Sequence, residues 1–171
     1  GGNSDIVLDQ ILFQDAEAHF IQFRQDNPNN TLQNSVVRNP VVGMNFEAQC
    51  VEVGSGPRVH VVNNEIYNCQ KGVSIGNGIV EHPGLVIENN DIYATTDVYT
   101  DCMGNLDPRG RCGPTEDMIS LKAGGTQAEP ALVISNRVWG SRTGDQSLGL
   151  AIDGDGSLLS VGISGNPDSP E

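Results

Sequence analysis

The sequence predicts an all-β chain wound as a parallel β-solenoid, and three observations carry that expectation. Glycine (21 residues), proline (nine) and abundant asparagine supply many turns, while valine and isoleucine dominate the apolar set. No long stretch spaces its apolar residues at the 3.6-residue helical period. One nonapeptide pattern recurs along the chain, which is the signature of a repeat architecture.

The copies can be taken in order. SDIVLDQIL (4–12) and NTLQNSVVR (30–38) fit loosely, VHVVNNEIY (59–67) and LVIENNDIY (85–93) are near-identical, and ALVISNRVW (131–139) follows. In each, an apolar or β-branched residue lies three positions before an Asn or Asp, and another lies two after. The polar positions are Asp9, Asn34, Asn64, Asn90 and Asn136, with Asn166 opening a sixth unit; the spacings are 25, 30, 26, 46 and 30 residues. Asparagine tolerates the left-handed turn conformation, and stacked amides hydrogen-bond from unit to unit, so these positions are the expected asparagine ladder.

A second half follows in each unit: FIQFR (20–24), CVEVG (50–54), GVSIG (72–76), MISLK (118–122) and GLAID (149–153). Strict alternation turns Ile21, Val51, Val73, Ile119 and Leu150 inward, and likewise Phe23, Val53, Ile75, Leu121 and Ile152. One coil then reads as strand 59–63, a turn at Asn64, strand 65–67, a short loop and strand 72–76. Coils of this size stack at the strand spacing of about 4.8 Å. Residues 1–171 are expected to form a single domain of about five coils, whole or part of a longer solenoid. Neither end carries an amphipathic capping helix, so another coil or another chain is expected to cover the open strand edges.

The formal charge is −13, from 22 acids against nine Lys plus Arg. That field excludes nucleic acid and anionic membranes as long-range partners, and it favours solubility. No apolar run approaches the ~20 residues of a membrane-spanning helix, and no signal peptide is visible. Four cysteines fit two disulfides in a secreted or cell-surface protein, although four reduced thiols are the alternative. Cys102 and Cys112 bracket a Gly/Pro-rich loop and are the first expected pair, with Cys50 and Cys69 the second. Tyr67, Tyr93 and Trp139 form an aromatic column beside the ladder, suited either to wall packing or to stacking on sugar rings.

Chemistry concentrates in the fourth coil. There the loop entering the second half expands to residues 94–117, and it delivers the chain to EDMISLKAGG (116–125). Loops of that length are uncommon unless functional or disordered. The outward column there reads Arg24, Gly54, Gly76, Lys122 and Asp153, with two glycines beneath Lys122 as a flat floor.

The repeat, its asparagine ladder and its coil layout resemble the right-handed parallel β-helix superfamily over nearly the whole chain. EDMISLKAGG resembles the alginate lyase and chondroitinase B family of polysaccharide lyases, in which a segment I-S-x-K-S carries the base. Ile119, Ser120 and Lys122 match it, and Ala123 replaces the second serine. The resemblance implies β-elimination on a uronate polymer, with Lys122 as general base; Ser120, Asp153, Arg109 and Arg111 are the candidate substrate contacts. It departs in the next coil, where Asp153 stands in place of an expected arginine and would raise the Lys122 pKa. Asp153 and Asp155, with Glu116 and Asp117, are the candidate ligands for a calcium ion that binds an acidic sugar.

Two functions follow: a carbohydrate-associated module with lyase-like chemistry, or a non-catalytic structural or adhesive β-helix that assembles with partner chains through its open ends.

Overall fold

The computed structural model describes residues 5–16, 20–24, 28–39, 49–54, 56–69, 71–75, 81–94, 118–121, 124–140, 150–152 and 158–164. Among these no helix forms. The strands are β1 (Val7–Asp9), β2 (Leu12–Gln14), β3 (Ile21–Phe23), β4 (Thr31–Gln33), β5 (Val36–Arg38), β6 (Gln49–Val53), β7 (His60–Val62), β8 (Glu65–Tyr67) and β9 (Lys71–Ile75). They continue as β10 (Val86–Glu88), β11 (Asp91–Ala94), β12 (Ile119–Leu121), β13 (Ala131–Gly140), β14 (Leu150–Ile152) and β15 (Leu158–Ser164).

Every described pairing is parallel, and strands pair with the equivalent strand of the next unit. The larger sheet runs β1-β4-β7-β10-β13 along one arm and β2-β5-β8-β11-β13 along the other, with β15 on β13. The smaller runs β3-β6-β9-β12-β14. Its register aligns Ile21, Val51, Val73, Ile119 and Leu150 in one column, and Phe23, Val53, Ile75, Leu121 and Ile152 in another. These are the two columns that alternation assigns to the interior.

Leu32, Val61, Ile87 and Val133 from one arm meet Val37, Ile66 and Ile92 from the other and Val51, Val73 and Ile119 from the smaller sheet in one apolar cluster. Three-residue strands suffice because each inward residue is covered by its equivalents in the units before and after. Burial of each such side chain contributes about 1.5–3 kcal/mol.

The short strands alternate with corners. Among the described residues eleven non-glycine residues have positive φ, and eight of them are Asn or Asp, the side chains that tolerate this region best. They recur every five residues within a unit: Asp5, Gln10 and Asp15; Asn29, Asn34 and Asn39; Arg58, Asn63 and Asn68. In the second to fourth units the left-handed residue is followed by a buried one at Asn30, Ser35, Val59, Asn64, Cys69 and Asn90.

That division corrects the expected ladder. The left-handed residue of the third unit is Asn63 (φ 56°), while Asn64 after it is buried. Asn64 Nδ2 donates to Asn90 Oδ1 at 2.9 Å, and Asn90 Nδ2 donates to Asn136 Oδ1 at 2.9 Å. Each Oδ1 also accepts the backbone N–H of the preceding unit, and the same Nδ2 groups donate to Leu32 O and Val61 O. Toward the first unit the column continues not through Asn34 and Asp9 but through Ser35 and Ile11. The Ser35 N–H donates to Asn64 Oδ1, and Ser35 Oγ accepts from the Ile11 N–H. Asn34 is the exposed left-handed corner residue, and Asp9 lies at the end of β1. The two meet outside the core, Asn34 Nδ2 donating to Asp9 Oδ1 at 2.8 Å.

Cys50 and Cys69 form a disulfide with Cα atoms 5.8 Å apart across a sequence separation of 19 residues. Closing a loop of this length removes about 3 kcal/mol of unfolded-state entropy in the chain-entropy account, and such bonds form under oxidising conditions.

Candidate functional site

Sequence analysis assigns the residues singled out for chemistry to the outward face of the smaller sheet and the loop entering it, and the structure describes part of that face. Lys122, Asp153, Arg109, Arg111, Glu116, Asp117, Asp155, Cys102, Cys112 and Gly76 lie outside the described residues. The strands leading to Lys122 and Asp153 are adjacent, with Leu121 opposite Ile152. Ser120 and Ser74 share an outward column and are each only 6% exposed. Gly54 has a structural occupation: a Cβ there would come within 3.2 Å of Phe23 O, whose oxygen accepts the Gly54 N–H at 2.7 Å. Arg24 is engaged as well, its Nε donating to Gln22 Oε1 at 2.6 Å, while Gln22 Nε2 donates to Glu52 Oε2. No group of three or more His, Cys, Asp or Glu residues with metal-binding proximity occurs among the described residues.

The aromatic column lies on the other arm. Tyr67 and Tyr93 stack with centroids 4.8 Å apart and planes 7° from parallel, because the strand spacing sets their separation. Their facing surfaces cover one another, so the strip offers ring edges to solvent. Arg38, on the same column, sits 5.9 Å from the Tyr67 centroid and donates to its hydroxyl at 2.7 Å. Burial, then a 2.6 Å bond to the Glu65 carboxylate, holds the Tyr93 hydroxyl well above its ordinary pKa. By backbone register Trp139 follows Tyr93. Tyr67 and Tyr93 pack against one another as part of the wall.

Sequence reasoning missed one feature. His82 is fully buried, and neither ring nitrogen has a hydrogen-bond partner among the described residues. Burial lowers its pKa and keeps it neutral. The only sequence signal is its place before Pro83-Gly84, where Gly84 takes φ +66°.

Open strand edges were expected of the solenoid, and among the described strands β1 and β2 are paired on one side only. Val7 is 57% exposed, Leu12 52% and Ile6 36%. Leu8 and Phe13 point inward yet are only partly buried, whereas Leu32 and Val37 below them are fully buried. Ile6 O accepts from the Thr31 N–H and Ile11 O from the Val36 N–H. The alternation of a parallel ladder then turns the N–H and C=O of Val7 and Leu12 to the open side. The Val7 and Leu12 side chains stand on the outer face, at right angles to those backbone groups, and among the described residues no strand pairs with the outer edge of β1 or β2. The signal was present in IVLDQIL, where Ile11 occupies a ladder position that later units give to Asn.

A scan against protein-family models, a search of curated proteins and a search of solved structures each return no match to this chain.

Proposed function

We propose that the chain is an assembly module: a right-handed parallel β-helix of about five coils whose exposed edge at β1 and β2 takes a further parallel strand, from the same polypeptide or from a partner chain. The open edge at β1 and β2 carries this reading. An exposed row of unpaired backbone groups beside Val7, Leu12 and Ile6 is the arrangement that β-augmentation uses. The in-register parallel units and the buried amide column support the solenoid class. The Cys50–Cys69 bond supports an oxidising location, secreted or at a cell surface.

The test is binding of a labelled peptide of residues 28–39, whose native copy already covers the other side of the first unit. Fluorescence anisotropy should detect saturable binding that Val7→Pro with Leu12→Pro weakens at least tenfold, since proline removes an edge donor without breaking an internal bond. No binding at millimolar peptide contradicts the proposal.

The near-complete burial of outward-facing Ser74 and Ser120 favours a second reading, in which that sheet face floors a polysaccharide groove with Lys122 as base. Alginate, chondroitin and pectin are the substrates to try, with and without calcium. Unsaturated uronate absorbance lost in Lys122→Ala supports this reading, and absence of product on all three removes it.

A further inference from the structure

We infer that His82 is an acid-sensitive latch: protonation of its ring releases the 82–85 turn from the segment 124–131, while the coils on either side stay folded. The latch is independent of the open edge at β1 and β2.

The turn and the segment are tied at a few points. In the turn the Leu85 N–H donates to His82 O at 3.2 Å, with Pro83 in second place and Gly84 at φ +66° in third. The His82 N–H donates to Gly124 O at 2.8 Å, and the Gly84 N–H to Glu129 O at 3.0 Å. The Leu132 N–H, inside β13, donates to Leu85 O at 2.8 Å. Segment 124–131 thus begins and ends against this one turn. It closes on itself at Gly125, where a Cβ would come within 2.3 Å of Ala131 N and 2.4 Å of Glu129 O. Because the segment follows β12 in the chain, the latch ties the smaller sheet to the turn that enters β10.

The repeat itself does not call for an imidazole here. The Asn29 N–H donates to Pro57 O as the Arg58 N–H donates to Pro83 O, so Gly56 holds the place of His82 in the preceding unit. Gly56 is buried with no side chain, whereas the His82 ring is enclosed at 0% exposure and bonds no described group through either nitrogen. Buried polar groups left without a partner are rare in native proteins and point to a role beyond packing.

The ring's surroundings suit only its neutral form. Arg58 and Glu129, on the elements beside the turn, are half exposed and bonded to each other at 3.0 Å. Glu81, next to His82 in the chain, is exposed, and Lys122, two residues before Gly124, lies outside the described residues. An imidazolium carries donors on both nitrogens and finds no described acceptor, so it is stable only where water reaches it. Opening the latch is the easiest way there. Residues 124–130 (GGTQAEP) carry no large apolar side chain, and release breaks two described backbone bonds and one exposed ion pair. Unfolding a coil would instead break the apolar columns and the buried amide column. Burial lowers the ring's pKa in the closed state, and exposure returns it toward about 6.5. The open-to-closed ratio is therefore level above about pH 6.5 and rises about tenfold for each pH unit below it, until the closed-state ring itself titrates.

Protection factors of single amides, corrected for the intrinsic pH dependence of exchange, test the latch between about pH 7.5 and pH 4.5. The His82 and Gly84 amides should hold level protection above about pH 6.5 and lose it about tenfold per pH unit below. The Asn64 and Asn90 amides, in the buried column, should keep theirs. In His82→Leu, and in His82→Gly, which copies Gly56, the Gly84 amide should lose the acid slope. Level protection of Gly84 across the range in the wild-type protein overturns the inference. So does parallel loss at Asn64 and Asn90, which marks unfolding of whole coils, and so does an acid slope that persists in both variants.

Discussion

Asn90 is the residue on which most of the inter-unit bonding converges. Its Oδ1 accepts from the backbone and side chain of Asn64, and its Nδ2 donates to Val61 O and Asn136 Oδ1. Asn90→Ala strands several buried polar groups at once and should cost about 3–4 kcal/mol by chemical denaturation. Asn34→Gly keeps the left-handed corner and removes only an exposed bond to Asp9, so it should stay within about 0.5 kcal/mol. Equal losses would return Asn34 to the ladder. His82 gives a pH dependence of known sign. Its folded pKa lies below the unfolded value near 6.5, so the unfolded state binds the extra proton. Stability contributed by the neutral ring is present above about pH 6.5 and is lost as pH falls below it, by up to ~1.4 kcal/mol per pH unit. Thermal melts of His82→Leu should lose that part of the slope.

At the scale of strands and corners, packing explains what sequence reasoning could and could not reach. The columns from Ile21 to Ile119 and from Phe23 to Leu121 were legible because alternation over several residues leaves one register that buries all of them. The corners were not. Asn63-Asn64 and Asn89-Asn90 each contain two amides, and sequence alone does not say which takes positive φ and which turns inward. In the first two units the doublets read Gln10-Ile11 and Asn34-Ser35, so matching on asparagine slips by one or two positions. The five-residue recurrence at 29, 34 and 39 was the signal that fixes the register. On the smaller sheet's outer face, Ser120 is placed, while Lys122 and its expected partners lie outside the described residues. Two changes test the packing. Gly72→Ala would bring a Cβ to 2.5 Å from Met118 O and 2.7 Å from Ile92 Cγ2, and should cost about 1–3 kcal/mol. Replacing Cys50 and Cys69 together with alanine should lower stability by about 3 kcal/mol.

At the scale of the molecule, a stack of parallel units is unfinished wherever its last strand is bare. Interior units satisfy both strand edges and both sides of each core residue through their neighbours; among the described strands β1 and β2 are paired on one edge only, and Val7, Leu12 and Ile6 are exposed. The acidic charge spread over the chain opposes the pairing of two such edges. Amide hydrogen exchange, read residue by residue with and without saturating 28–39 peptide, tests this most directly. Alone, the Val7 and Leu12 amides should exchange near the rate of unstructured chain, while Thr31, bonded to Ile6 O, stays protected. With peptide, Val7 and Leu12 should slow at least tenfold. Protection of Val7 and Leu12 in the protein alone, or unchanged rates with the peptide saturating, would contradict an open edge built for a partner strand.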